Sequence, residues 1–410
     1  MVSVVRTARV PRILHTADWQ IGKPYRWIED PQKQARLQQE RVDAVLRIAE
    51  VSSREEVDVV LVAGDLFDSS TVAASMVMEV LEAIGSIPAP VTVIPGNHDH
   101  GGAGGIWRRE DLRRQMQERA ANLQLLLEPE PVVVAGISLL PCPLQRQRDS
   151  QCPSLWLDQL NWNNLDPDYP RVVLAHGSVQ GFGADAAVNQ LSFDHLPSDQ
   201  FDYVALGDWH ALREVDGRTW YSGTPEPDRF PNGIDDLRSQ VLVVDLERGQ
   251  PPKVTPHSTG RLQWHRVSMT LNGDGDLPRL EQQLEACVGR RVGRDLLRLE
   301  LNGQLGLQGD LQLQERLAVL KEQLLHLRLR GKLHRQPTIQ EREQLLRRMD
   351  SPLVSSIAAA LHEELQSNDD PLLEQALIEL HRLCATDSGT DVSSTTVSSA
   401  AVSSGSESCV

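Results

Sequence analysis

Five short clusters of Asp, Asn, Gln and His recur in the first 210 residues of the chain, each directly after an apolar run. They are Asp18-Trp19-Gln20, Gly64-Asp65-Leu66-Phe67-Asp68, Gly96-Asn97-His98-Asp99, His176-Gly177 and Gly207-Asp208-Trp209-His210. Carboxylate, amide and imidazole groups are ligands for divalent metals. A mixed oxygen and nitrogen set suits Mn²⁺, Fe²⁺ or Zn²⁺ better than Ca²⁺. A carboxylate that can bridge favours two ions, and two ions ~3.5–4 Å apart are a known device for hydrolysing phosphate esters. They acidify a water and clamp the phosphate oxygens as negative charge builds. Each residue alone has a plainer reading. An Asp after a buried strand often caps a helix, and a single His is often a satisfied structural residue. Five clusters at corresponding positions argue instead for convergence on one site.

The elements that must position them are legible in the apolar pattern. Runs at 12–15, 57–63, 91–94, 132–140, 171–175, 203–206 and 241–246 are rich in Val and Ile, which predicts strands. Val42, Val45, Leu46 and Ala49 follow the i, i+3, i+4, i+7 stripe of an amphipathic helix, and Val77, Val80, Leu81 and Ile84 repeat it. Strands alternating with helices predict an α/β layered domain over residues 1–250. In open α/β sheets ligands gather at the carboxyl ends of strands, where all five clusters fall. Gly64, Gly96 and Gly207 precede polar residues and suit tight turns and close packing there.

After Gln250 the Pro- and Thr-containing stretch to Gly260 predicts a linker. Residues 261–336 then read as a small α+β domain. Its strands carry Val267, Met269 and Leu271, then Leu297, Leu299 and Leu301, and end with Leu325, Leu327 and Leu329. Its helices carry Leu277, Leu280 and Leu284, then Leu313, Leu317, Leu320 and Leu324. Residues 337–385 read as helical, with Leu353, Ile357, Leu361 and Leu365 spaced by four. Residues 386–410, dominated by Ser, Thr and Val, read as disordered.

The 410 residues carry 41 Lys and Arg against 57 Asp and Glu, a net charge of −16. That excludes a basic, charge-driven nucleic-acid coat. It leaves a nucleic-acid enzyme open, because bound metal supplies local charge. The sequence has no apolar run of membrane-spanning length and no secretory h-region at its start, so the expectation is a protein without a membrane partner. Five cysteines without a CxxC pair suit a reducing cytoplasm.

The combined motif set resembles the calcineurin-like metallophosphoesterases, and within them the DNA-repair exonuclease branch of SbcD type. The opening Ile13-Leu14-His15-Thr16-Ala17-Asp18-Trp19, the whole of Gly64–Asp68 and the segment Tyr221-Ser222-Gly223-Thr224-Pro225 carry the likeness. It covers residues 12–245 by motif, and 261–336 by layout alone, where the family has a DNA-facing capping domain. The resemblance implies a layered β-sandwich flanked by helices. It implies a two-metal phosphodiesterase acting on DNA, exonuclease-like, in which a metal-bound hydroxide attacks the phosphodiester. Asp65 would bridge the metals. Asp18, Gln20 and His210 would complete one site, and Asn97, His176 and Asp208 the other. His98 would assist as general acid or electrostatic stabiliser, Asp99 would orient it, and Asp68 would lie nearby. The implied partners are DNA, an SbcC-like coiled-coil ATPase docking at 337–385, and a second copy of the chain.

Two positions depart from the family pattern. Gln20 stands where the family has His, and Asp208 stands at the first position of a His-x-His pair. Both move the donor set from nitrogen toward oxygen, favouring Mn²⁺, with Mg²⁺ or Fe²⁺ next, over Zn²⁺. The plainer readings put Gln20 beside the ligands rather than among them, and make Asp208 a turn cap. His15 reads as a packing residue, and Trp19 and Trp209 as walls of the site. The glycine-rich stretch 100–105 reads as a mobile loop followed by an Arg-rich helix. Two other functions share parts of this pattern: hydrolysis of small phosphodiesters or cyclic nucleotides, and a weakly active scaffold for the ATPase.

Overall fold

The computed structural model describes residues 10–179, 188–193, 196–197, 199–233, 235–347, 351–368 and 370–387. The chain divides into two compact units. The first holds the chain up to residue 267 together with 290–299 and 321–328; the second holds 268–289, 300–320 and the chain from 329.

In chain order the first unit contains β1 (Arg12–Thr16), α1 (Pro31–Arg54), β2 (Val59–Ala63), α2 (Ala74–Gly85), β3 (Val91–Ile94), α3 (Glu110–Arg119) and β4 (Leu123–Leu125). There follow β5 (Val132–Val134), β6 (Ile137–Cys142), β7 (Arg171–His176), β8 (Ser178–Val179), β9 (Gln190–Leu191), β10 (Tyr203–Gly207), β11 (Arg213–Asp216), β12 (Thr219–Tyr221), β13 (Gln240–Asp245) and β14 (Lys253–Ser258). One six-stranded sheet has the order β14-β13-β1-β2-β3-β4, the other β11-β12-β10-β7-β6-β5. In the first, β1 to β4 are parallel; in the second, β6, β7, β10 and β12 are. Parallel strands buried on both faces should be apolar throughout, and β2, Val-Val-Leu-Val-Ala, is buried at every residue. Ile13, Val59, Leu61, Leu139, Val172, Leu174 and Tyr203 meet between the sheets. The opposite face of the first sheet buries Leu14, Val60 and Val62 against Val45 and Ile48 of α1 and Val77, Val80 and Leu81 of α2. This is the layered α/β sandwich expected from the sequence.

Three details differ from the sequence pattern. The run at 132–140 is a hairpin, because Ala135 and Gly136 both take positive φ (50° and 75°) in the two-residue turn between Val134 and its partner Ile137. The expected linker contains β14, which pairs antiparallel with β13 and closes one edge of the sheet. Pro256 is tolerated there because an edge strand has one side free of ladder bonds. On α1 the buried stripe is Leu37, Arg41, Val45, Ile48 and Ser52, while Leu46 is 45% exposed. Asp30 starts that helix by accepting from the Gln32 and Lys33 amides, with Pro31 at its first position.

Arg41 is the unexpected member of the stripe. It is buried, and its guanidinium donates to the carbonyls of Trp19 (2.6 Å), Asp18 (3.0 Å) and Glu226 (3.2 Å) and to the hydroxyls of Tyr25 (3.2 Å) and Thr224 (3.1 Å). It therefore ties the loop after β1 to the segment after β12. Arg41→Met should cost about 3–5 kcal/mol, because several buried acceptors lose their donor at once. Urea denaturation of the two proteins measures it.

β15 (Gln263–Leu271), β16 (Asp295–Leu305), β17 (His326–Arg330) and α5 (Leu307–Gln323) each have residues in both units. The second unit adds α4 (Leu277–Cys287), β18 (Leu333–Arg335), α6 (Ile339–Leu346), α7 (Pro352–Ser367) and α8 (Pro371–Asp387). Leu361 and Leu365 pack on Leu345, Ala358, Leu377 and Cys384, while Leu353 and Ile357 are exposed. Thr386 and Asp387 close α8; the remainder of the Ser/Thr-rich stretch lies outside the described residues. Among the described residues no helix is long and apolar enough to cross a membrane.

Candidate metal centre

The loops after β1, β2, β3, β7 and β10 meet at one place. Asp18, Asp65 and His176 each offer a ligand atom within 4.8 Å of the other two, and all three are buried. His176 Nε2 lies 2.8 Å from Asn97 Oδ1, 3.6 Å from Asp65 Oδ1 and 3.8 Å from Asp208 Oδ1. His210 Nε2 lies 3.9 Å from Asp18 Oδ1. Six of the seven proposed ligands are thus linked, Asn97 and Asp208 through His176 and His210 through Asp18, and Gln20 approaches through its amide nitrogen, 3.3 Å from His210 Nε2. The Gln20 amide oxygen accepts instead from Lys23 Nζ at 2.5 Å.

The backbone is bent to achieve this. Asp18, Gln20, Asp65 and Asp208 all have positive φ (55°, 44°, 53° and 96°). Non-glycine residues in that region carry a conformational cost and cluster at functional sites. The surrounding structure holds them: the Asp18 and Gln20 amides donate to the carbonyls of Gly64 and Asp65, and the Asp208 amide reaches both Asp18 carboxylate oxygens at 3.2 Å. Gly64, at φ +85°, also leaves room; a Cβ there would lie 2.3 Å from His176 Nδ1. One on Gly96 would lie 2.2 Å from Asp65 Oδ1.

The imidazoles are oriented from behind. His176 Nδ1 lies 2.8 Å from the Ala63 carbonyl and His210 Nδ1 2.9 Å from Asp228 Oδ2, so both rings turn Nε2 toward the carboxylates. Fixing the far nitrogen in this way is how metal-binding histidines are usually held. Asp228 is itself bound by Arg238 at 2.5 Å. Burial opposes its charge, but His210, Lys23 and Arg238 hold its carboxyl well below the usual range. Neither Asp228 nor Arg41 was identified from sequence. Their signal is a partnership across 18 and 23 positions, invisible to local spacing; the only hint is that Asp228 follows the 221–225 segment.

Around His98 the structure assigns contacts that sequence could not. His98 Nδ1 lies 2.9 Å from the Asp68 backbone carbonyl, and the ring is 37% exposed with Nε2 3.9 Å from Asp65 Oδ2. Asp99 is buried and accepts from the Gly96 and Phe67 amides at 2.7 and 3.1 Å, pinning the Gly96–Asp99 turn. The Asp68 carboxylate lies 3.9 Å from Lys23 Nζ. Trp19 is a core residue whose indole donates to Thr16, whereas Trp209 lines the cleft. His15 is buried between Tyr203 and the Leu206 carbonyl. The glycine-rich stretch is packed: Ile106 and Trp107 are buried, and a Cβ on Gly102 would meet the Gln145 carbonyl at 2.1 Å. Arg108 caps the Gly101 carbonyl and Arg109 pairs with Asp111. The open cleft beside the centre has a volume of about 450 Å³, and Arg148, Arg229, Trp209 and Gln147 line it with Asp208 and His210.

Three carboxylates and two imidazoles so arranged fit a divalent cation: without one, buried like charges face each other. Burial, with Asp65 and Asp208, pushes the Asp18 carboxyl up to about 6 against the pull of His210 and His176. At His176 burial opposes protonation, but Asp65, Asp18 and Asp208 push the imidazole up to about 9. A metal must displace that proton. Between pH 7 and 9 the apparent Mn²⁺ affinity should therefore rise about tenfold per pH unit and then level off. Calorimetric titration in buffers of different ionisation heat should show about one proton released near pH 7.5.

Residues 11–212 match the family model described as calcineurin-like phosphoesterase. The chain is similar to the DNA double-strand break repair protein Mre11 of Saccharolobus solfataricus, 24% identical over 303 residues, covering 72% of this chain and 75% of that protein. Among solved structures it is similar to TT1561 of Thermus thermophilus, with 14% identity and a TM-score of 0.39 over 61% of this chain and 99% of that one.

Proposed function

The chain is a metallophosphoesterase, with its calcineurin-like phosphoesterase domain at residues 11–212, and from that premise we propose that it is a metal-dependent phosphodiesterase acting on DNA, exonuclease-like in action. The observation that carries the reading is the convergence of Asp18, Asp65, Asn97, His176, Asp208 and His210 beside an open cleft that two arginines and a tryptophan line. A scaffold has no use for such a set. The likeness to a DNA double-strand break repair protein supports DNA over a small ester. The same reading keeps the ATPase partner and the self-association that the sequence resemblance implies.

Asp65, Asn97, His176 and Asp208 would hold one divalent ion, with Mn²⁺ favoured by the oxygen-rich donors; Asp18 and His210 face the neighbouring position. When bound, the metal would acidify water and neutralise charge on the phosphate. The chain's own residues supply the rest. His98, partly exposed with Nε2 3.9 Å from Asp65 Oδ2, would give a proton to the leaving oxygen. Its Nδ1 is fixed by the Asp68 carbonyl, and Asp99 holds the turn that carries it. Arg148 and Arg229 line the cleft where the flanking phosphates of a polymer would lie.

The test is Mn²⁺-dependent degradation of end-labelled linear duplex and single-stranded DNA, with bis(p-nitrophenyl) phosphate in parallel. Release of labelled nucleotides from DNA is the expected result. Hydrolysis of the small ester alone would move the assignment to small phosphodiesters. Metal uptake without hydrolysis of either substrate would favour a scaffold.

A further inference from the structure

The side of the centre that carries Gln20 holds a cation already. Lys23 Nζ lies 2.5 Å from Gln20 Oε1, 3.5 Å from Asp228 Oδ2 and 3.9 Å from Asp68 Oδ1. An ammonium has three donors and no acceptor, and it has three oxygens around it here. The donation also fixes the Gln20 amide, whose oxygen must face the lysine. Its NH₂ then faces His210 Nε2 at 3.3 Å, so Gln20 offers a donor where a metal ion needs a lone pair.

The placement is built into the fold. Ile21 bridges Phe67, the Asp68 amide donates to the Ile21 carbonyl, and the Lys23 amide closes the turn on the Gln20 carbonyl. Gly22 sits in that turn at φ +91°, where a Cβ would lie 2.8 Å from Val72. The turn thus aims Lys23 at the centre. On the opposite side, Asp208 adds a carboxylate 3.8 Å from His176 and held by Ser178. Asp208 thus places an anion on one side of the centre, and Lys23 a fixed cation on the other.

We propose that Lys23 supplies the second positive charge of this centre, so that the chain binds one divalent ion tightly, on the Asp65–Asn97–His176–Asp208 side, and a second only weakly. The inference rests on the metallophosphoesterase reading and refines it: the phosphate would meet one metal ion and one ammonium rather than two metal ions. A like charge on the Gln20 side of the centre repels an incoming divalent ion, and the half-buried position of Lys23 leaves the screening incomplete.

Metal stoichiometry tests this without turnover. The full-length protein is loaded with Mn²⁺, desalted, and measured by elemental analysis, calorimetry and electron paramagnetic resonance. The expected result is about one Mn²⁺ per chain, a mononuclear spectrum, and a second equivalent weaker by about 10²-fold or more. Lys23→Met should narrow that gap by about tenfold or more, and Lys23→Met with Gln20→His should give two equivalents and an exchange-coupled spectrum. Lys23→Gln, which keeps a polar group on Asp228, guards against a packing effect and should act in the same direction. Two equally tight ions in the unaltered protein, or no change in the Lys23 variants, would overturn the lysine assignment alone. Failure to bind any divalent ion would overturn the metal centre with it.

Discussion

Asp65→Asn is expected to abolish tight metal binding and to lower phosphodiester hydrolysis by about 10³-fold or more, about 4 kcal/mol of transition-state stabilisation. The carboxylate is buried between His176 and His98, with Oδ1 3.6 Å from His176 Nε2 and Oδ2 3.9 Å from His98 Nε2. An amide fills the same volume and still accepts from the His98 backbone amide, which now reaches Asp65 Oδ1 at 2.9 Å. The fold should survive, because the amide keeps the packing and the backbone bond. The measurement is a pair of thermal melts, with EDTA and with Mn²⁺. The parent should gain stability with Mn²⁺, and the variant should gain nothing. Loss of activity with unchanged metal-induced stabilisation would remove Asp65 from the metal centre.

That expectation draws on residues whose convergence could be anticipated from order alone. Strands that are mostly apolar must be covered on both faces, so the polar cluster that ends each run marks its carboxyl end. Asp18, Asp65, Asn97, His176 and Asp208 could be placed at one edge for that reason. Their orientation could not. It depends on His176 finding the Ala63 carbonyl 113 positions away, and on His210 finding Asp228. Gln20 shows the limit most clearly. Its type is compatible with ligation, but its amide orientation is decided by Lys23, three positions on across a turn whose shape comes from the Ile21–Phe67 bridge. The fold has similar limits. Periodicity marked the α1 helix yet put Leu46 on its buried face and missed Arg41, because a charged residue at a core position is read as surface until its acceptors are known. The Pro-containing edge strand β14 was read as a linker, since proline is an edge-strand residue as well as a linker residue.

His98→Ala separates chemistry from metal binding. The bond that ties this position to the centre is made by the His98 backbone amide and survives truncation, so metal uptake should be unchanged. The ring is held through Nδ1 by the Asp68 carbonyl, and Nε2 lies 3.9 Å from Asp65 Oδ2 on a partly exposed ring. A general acid placed there should contribute about 10²–10⁴-fold to turnover. The loss should depend on the leaving group. DNA departs as a poorly stabilised alkoxide that needs a proton, so the full loss is expected on DNA. p-Nitrophenolate departs unaided, so the loss on bis(p-nitrophenyl) phosphate should be about tenfold or less. Equal losses on both substrates would instead assign His98 to charge stabilisation on the phosphate, because that demand does not change with the leaving group. Full activity on DNA would remove His98 from the reaction and leave proton delivery to solvent in the cleft.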